Sequence, residues 1–404
     1  MLLDLTPDQA FFRDTTAKFL ADQVPPELLQ RMAGTVPADW EAGYWRRGAE
    51  LGWTSLLVSE EAGGGSISEH GLVDLSVIAH EFGRHAAPGP LLPANVVAAA
   101  LSDAGTHPEV LAELLAGTAI AAWCHSEPRG ASGSPGTDDV TLDIRADGTD
   151  LVLNGIKRPV EAAAQAKYLL VTGRAGGPGA AAGGQGAVGG EKSGGGVPAG
   201  GRTQVLVPSD ASGVTITPLR TADYSRHFAA VTFTDVRVPA SAVVGEAGGA
   251  AGQVERELQL ALVIAAAETV GAMQAGFDMT LAWAFDRYSF GRPLASYQAL
   301  KHRFADLKTW LEASHAITDA AAAAVAERAA NAGELASAAK AYVGQYGPEL
   351  MQDCVQLHGG IGLTREHDLH LYLRRVTTNA MLYGTPADHR QRIADYVEKR
   401  EGLS

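Results

Sequence analysis

Twice along this chain the spacing of apolar residues changes, and that change constrains the fold more than any other feature. From residue 1 to about 118 they recur at helical intervals, from 119 to about 235 they gather in short β-rich runs, and from about 250 the helical interval returns. A stripe repeating every ~3.6 residues must be covered by a neighbouring helix, whereas a period of about two suits one face of a sheet. The chain therefore reads as α+β and multidomain. An N-terminal α-helical domain is predicted over 1–118, a middle antiparallel β domain over 119–235, and a C-terminal helical bundle of the four-helix type over 236–404.

Local signals fill in these blocks. Thr6-Pro7-Asp8-Gln9 starts a helix, with a Thr cap, Pro at the first position and Gln three residues after the cap. Further amphipathic helices are predicted over Trp40–Leu51 and Leu72–Phe82. Strands are predicted at Ala119–His125, Val140–Ile144, Leu151–Leu153, Lys167–Val171, Gln204–Val207, Val214–Thr217 and Ala229–Phe233. Asn154-Gly155, between Leu153 and Ile156, predicts a tight hairpin. Residues 173–202 are rich in Gly and Ala and poor in large apolar side chains, so they read as a flexible, disordered insertion joining two strands. The last block predicts helices over 254–285, 296–328 and 334–357, with shorter ones near 367–381 and 387–400.

Composition narrows the function. With 404 residues the chain has room for two or three real cores. A net charge of −14 argues against a non-specific nucleic-acid surface. The most apolar helices are Ala-rich and interrupted by Glu, Gln and Arg, so no membrane span is expected. The N-terminus lacks the basic-then-apolar order of a signal peptide. Cys124 and Cys354 are far apart, which fits a reducing cytoplasm, with neither a disulfide framework nor a cysteine metal site.

Two motifs carry chemistry. In the first, a helix arrives at Arg287, breaks at Gly291-Arg-Pro293, and is followed by a second helix with Tyr297, Leu300, Phe304 and Leu307 on one face. This order resembles the flavin-binding corner of acyl-CoA dehydrogenases, R-x-Q-F-G-x-P-I-x-x-F-Q-x-x-K-H-x-L-A-D-M, with Ser289 in the place of the Gln. In the second, Gln356-Leu-His358-Gly359-Gly360-Ile361-Gly362-Leu-Thr364-Arg-Glu366 places glycines after a helix, where backbone amides can approach an anion. A plain Gly helix stop is the simpler reading of that run. It is similar to the family's Q-x-x-G-G-x-G-x-T-x-E. A weaker match, Leu51-Gly-Trp53 followed by Ser59-Glu60-Glu61-Ala-Gly63-Gly64, is also explained by a Gly-rich turn between helices. The resemblance runs over nearly the whole chain.

The resemblance implies FAD and an acyl-CoA substrate, with an electron-transfer flavoprotein or similar acceptor. It also implies that Arg287, Phe290, Gln356, Gly359 and Gly360 reach the ADP part of an FAD bound to the neighbouring subunit. The assembly is then a homodimer or tetramer, or a heterotetramer with a homologous acyl-CoA dehydrogenase subunit. Arg suits a pyrophosphate because its planar fork makes two hydrogen bonds at once.

The side that would serve this chain's own flavin ring is poorer. The family's T-E-P-x-A-G-S-D run becomes Ser126-Glu127-Pro128-Arg-Gly130, where Ser126 keeps a donor for a ring carbonyl. The W-I-T/S run falls at Pro159-Val160-Glu161, with no aromatic ring to stack and no hydroxyl for N5. An ordinary strand end explains it equally well. Desaturation also needs a carboxylate aimed at the carbon beside the thioester. The family's Y-E-G-T becomes Leu382-Tyr383-Gly384-Thr385, so Tyr383 stands in the Glu place beside the cofactor-side Thr385. A phenol with a pKa of about 10 is a poor base. The other family position for the Glu is Ala261 here.

Glu268, on the same helix face about 10 Å further along, is the best candidate for a functional acid. A buried ion pair or an interface carboxylate are the alternatives. Glu255 and Glu257 read as solvated. His367 and His370 read as a polar helix face with no metal assigned, Arg374-Arg375 as structural or interface residues, and Trp283 and Phe285 as core or dimer contacts.

Three readings of function follow. The chain is an FAD-dependent acyl-CoA dehydrogenase, sharpened to the base-poor half of a hetero-oligomer. It is a flavin-dependent oxidase or monooxygenase on the same fold. Or it is a scaffold subunit without flavin.

Overall fold

The structure, a computed structural model, describes residues 5–32, 42–128, 140–176 and 201–402. Helix α1 (Pro7–Gln23) opens on the expected capping box: Gln9 N–H donates to Thr6 Oγ1 at 3.2 Å and Thr6 N–H to Gln9 Oε1 at 3.1 Å. Helices α2 (Pro26–Met32), α3 (Ala42–Glu50), α4 (Gly71–Arg84), α5 (Leu91–Ala104) and α6 (Pro108–Leu115) complete the first block. Trp53 is fully buried there, with Phe19, Tyr44, Trp45 and Phe82 around it and Nε1 donating to Thr16.

Among the described residues the middle block is one eight-stranded sheet: β1 (Ala121–Cys124), β2 (Asp143–Asp147), β3 (Asp150–Glu161), β4 (Tyr168–Ala175), β5 (Arg202–Pro208), β6 (Val214–Pro218), β7 (Phe228–Pro239) and β8 (Val243–Val244). The strand order is β6-β7-β3-β2-β4-β5-β8, with β1 also on β4. It corrects the antiparallel expectation, because β4 runs parallel to both β1 and β2, so the sheet is mixed. Asn154-Gly155 is not a hairpin. β3 runs straight through it, Gly155 takes φ +147° at a register shift against β7, and the turn falls at Gly148-Thr149 between β2 and β3. A bulge and a turn both ask for Gly, and the sequence alone does not separate them. The expected insertion is shorter than read: Gly173–Ala175 belong to β4, where a Cβ on Gly173 would meet Ile144 at 2.5 Å. Residues 177–200 of it lie outside the described part. The sheet also continues past residue 235, to Val244.

The last block contains α7 (Ala251–Asp286), α8 (Gln298–Ala326), α9 (Ala332–His358), α10 (Leu369–Met381) and α11 (Pro386–Glu401). Helix α7 is the axis of the molecule, buried over most of its 36 residues. Over 18 residues its mean hydropathy of 1.5 is high enough to cross a bilayer, contrary to expectation, yet 94% of that window is packed inside the protein. Glycines let α4 cross it closely: a Cβ on Gly83 would stand 1.8 Å from Glu268 O, and one on Gly271 1.9 Å from His80 O. Cys124 and Cys354 are both buried and free.

Candidate functional site

The two motifs meet at one corner. Arg287 ends α7, its N–H donating to Trp283 O at 2.8 Å, and its exposed guanidinium carbon lies 5.9 Å from the Trp283 ring centroid. Trp283 stacks on His358 with centroids 5.4 Å apart, and His358 meets His367 edge to face at 4.5 Å. His358 closes α9, with Nδ1 2.8 Å from Cys354 O, immediately before Gly359 and Gly360. Burial holds its pKa below the usual imidazole range. Gln356 is exposed, and a Cβ on Gly359 or Gly360 would meet nothing within 4 Å, so this backbone is open to a ligand or a partner. Trp283 Nε1 and His358 Nε2 are buried atoms without a hydrogen-bond partner among the described residues. Reading Trp283 as a core or dimer contact and His367 as part of a polar helix face missed this link. His367 lies in the bend before α10 and not on a helix face, and only the tertiary fold brings it to His358.

Beside this corner a hairpin of β9 (Tyr288–Ser289) and β10 (Arg292–Pro293) turns through Phe290 at φ +49° and Gly291 at φ +81°. A bulky residue in the left-handed region costs about 1 kcal/mol or more. Phe290 nevertheless sits there 98% exposed, and Tyr288, two residues earlier, is exposed as well. The hairpin is rigid: Tyr297 Oη donates to Ser289 O at 2.7 Å, and Arg292 stacks on Tyr297 at 3.8 Å.

The expected base sites lie at a second place, where β3, the β6–β7 connection, α7 and α10 converge. Arg375 of α10 is fully buried, and its guanidinium donates to Asp223, to Glu268 and, through Nη2, to Ser225 Oγ at 2.6 Å, Ala86 O at 3.1 Å and Ala87 O at 2.9 Å. Arg226 forks onto Glu161, Nε to Oε1 at 2.7 Å and Nη2 to Oε2 at 2.5 Å, and reaches Glu268 Oε2 at 3.4 Å and Asn379 Oδ1. Asn379 Nδ2 donates to Glu268 Oε2 at 3.2 Å. Both Glu268 oxygens are thus engaged, by two guanidiniums and an amide, inside the chain's own ion cluster. Glu161, in the place expected to face flavin N5, is spent on Arg226.

Tyr383 forms the turn between α10 and α11 at φ +56°, its carbonyl accepting from His389 Nε2 at 2.9 Å and its ring 5.4 Å from Trp123. Burial pushes its phenol above the ordinary range, which removes it further from use as a base. Thr385 Oγ1 accepts from Asp388 N–H at 3.3 Å and donates to Asp388 Oδ2 at 2.7 Å as the cap of α11. Ser126 is half-buried at the end of β1, its carbonyl accepting from Arg158 N–H at 2.8 Å.

Two buried groups were not foreseen. Glu257, expected to be solvated, is buried against the sheet, where Oε2 accepts from Trp123 Nε1 at 2.8 Å and from Gln204 Nε2 at 2.6 Å. Burial raises its pKa to about 7. The β strands that bury it come from a part of the chain about fifty residues or more away, so helical position alone gave no sign. Lys340 of α9 donates to Asn379 O beside a cavity lined by Ala265, Thr269, Gly344 and Ala380. Burial lowers its pKa to about 7.

Fold and corner together define a class: a helical domain, a mixed sheet and a helical bundle, with an open glycine corner and an arginine offered to an anionic ligand. Comparison with known proteins places the chain within it. Residues 6–119 match the model "Acyl-CoA dehydrogenase, N-terminal domain" and residues 251–397 match "Acyl-CoA dehydrogenase, C-terminal domain". The chain belongs to the acyl-CoA dehydrogenase family, a family of oxidoreductases. It is 27% identical over 392 residues to acyl-CoA dehydrogenase IpdE2 of Mycolicibacterium smegmatis, covering 96% of this chain and 98% of that one. In fold it is similar to the ChsE4–ChsE5 complex of Mycobacterium tuberculosis (TM-score 0.82, 20% identity, 98% of this chain and 99% of that one). It is equally similar to a glutaryl-CoA dehydrogenase from Mycobacterium smegmatis in complex with FADH2 (TM-score 0.82, 18% identity, 97% and 95%).

Proposed function

We propose that this chain is the base-poor subunit of a hetero-oligomeric, FAD-dependent acyl-CoA dehydrogenase. It completes the FAD site of a homologous partner that carries the catalytic Glu. The observation that carries this reading is the contrast between its two halves. The corner of Arg287, Phe290, Gln356, Gly359 and Gly360 is exposed and open, while the place of proton removal is filled by the chain's own ion cluster around Glu268.

The residues fit one part of FAD and not the other. Arg287 and the glycine amides offer donors to a diphosphate, and next to them buried Trp283 Nε1 and His358 Nε2 lack partners among the described residues. The isoalloxazine does not fit this chain in the same way: Pro159 supplies no aromatic face and Glu161 is held by Arg226. Bound flavin supplies the hydride acceptor of desaturation. This chain's own contribution is to bind and orient the cofactor's adenine end and to cover it from water with Phe290. The partner contributes the base. One fold neighbour is itself a complex of two differently named chains, which favours this assembly over the homo-oligomer.

The test is expression of the chain alone and together with a homologue that carries the Glu. Alone it is expected to be colourless and inactive. Together the two are expected to retain flavin and to reduce a dye on addition of an acyl-CoA. A yellow single chain that reduces dye with acyl-CoA contradicts the reading.

A further inference from the structure

The buried cluster leaves two arginines on the outside of the same region. Arg375 turns inward to Asp223 and Glu268, while its neighbour Arg374 lies over Tyr224, the residue that follows Asp223. The Arg374 guanidinium carbon is 4.3 Å from the Tyr224 ring centroid, and that of Arg365 is 5.5 Å from it. Arg365 Nη2 donates to Tyr224 Oη at 3.4 Å and Arg374 Nη1 to Ala222 O at 3.3 Å. Among the described residues neither guanidinium has a carboxylate at ion-pairing distance, and Arg374 Nε is buried without a partner.

The acids nearby do not answer this charge. Asp368 accepts from Gln30 Nε2 at 2.7 Å, and Glu366 is exposed and pairs with neither arginine. His370, 6.4 Å from Tyr224 between ring centroids, has its pKa held down by burial and then by Arg374. The buried Arg226 and Arg375 close by are each matched by carboxylates, whereas this pair around Tyr224 is not.

Each of these guanidiniums spends one N–H within the cluster, and a guanidinium lying on an aromatic ring still turns its remaining N–H groups outward, where they match phosphate oxygens. We propose that Arg365, Arg374 and Tyr224 form a phosphate-binding site that takes the phosphorylated tail of a nucleotide, as a monoester or a diphosphate. Its ring comes from the β6–β7 connection, whereas the corner at Trp283 and His358 is built by α7 and α9. It needs only this chain, and so does not depend on the hetero-oligomer reading.

Calorimetric titration of inorganic pyrophosphate into the full chain at constant ionic strength tests it. Saturable binding is expected, weakened about tenfold or more in Arg365→Gln and in Arg374→Gln. Coenzyme A and its 3′-dephospho form separate the two sources: tighter binding of coenzyme A assigns the monoester, equal binding the diphosphate, and both outcomes support the site. No saturable binding, binding unchanged in Arg365→Gln, or equal binding of sulfate overturns it. Pyrophosphate binding with neither nucleotide bound overturns the nucleotide assignment. Arg365 is exposed, so its variant keeps the test valid if Arg374→Gln fails to fold.

Discussion

Replacing Arg375 with Leu leaves Asp223 and Glu268 short of their main cation in a buried place. Breaking a buried pair from one side costs about 3–5 kcal/mol, so the variant is expected to lose that much in urea denaturation. An effect below about 1 kcal/mol would show that the cluster is not structural. Glu257 gives a pH-dependent prediction. Its folded pKa of about 7 lies above the ordinary Glu value, so the folded state binds the proton more tightly than the unfolded state. Its stabilisation is present below the unfolded pKa and is lost as pH rises through about 7. Glu257→Gln is expected to raise stability at pH ~8 by about 2 kcal/mol and to flatten the decline between pH ~5 and ~8, since one pKa unit is about 1.4 kcal/mol. A decline of the same slope in the variant contradicts this assignment.

At the scale of elements, the crossing of α4 and α7 has no room for a side chain at either glycine. Gly83→Ala and Gly271→Ala are each expected to cost about 3 kcal/mol, at the upper end of overpacking effects, because the obstructing atoms are backbone. A loss under about 1 kcal/mol would mean that the helices separate freely. The β9–β10 hairpin predicts the opposite sign. Phe290→Gly relieves a positive φ and is expected to leave the single chain as stable or slightly more so, while weakening its assembly with a partner in gel filtration. The long helices were legible because a stripe of apolar residues and a good cap act over a few turns, as at Thr6–Gln9. The strands were legible as runs, but their pairing was not. Whether β4 meets β2 in parallel, or Gly155 makes a bulge and not a turn, depends on residues far away in the chain.

For the whole molecule, the corner of Arg287 and Gly359-Gly360 stood out in the sequence because these residues stand in runs whose spacing is itself informative. Much less of the second place was readable. The sequence left Glu268 between a functional acid, a buried ion pair and an interface carboxylate, because the arginines that decide it, Arg226 and Arg375, arrive from a β connection and from α10, respectively. Glu257 looked solvated because the strands that cover it lie elsewhere in the sequence. In the proposed reading the molecule as a whole keeps an open corner for a neighbour's cofactor and closes its own base site with charge. The most direct measurement of that claim is flavin absorbance of the purified complex of this chain with a Glu-bearing homologue, with and without Arg287→Ala in this chain. The account predicts that the wild-type pair keeps flavin through gel filtration and that Arg287→Ala loses most of it while the two chains still co-elute. Full flavin retention in the Arg287→Ala complex would contradict it.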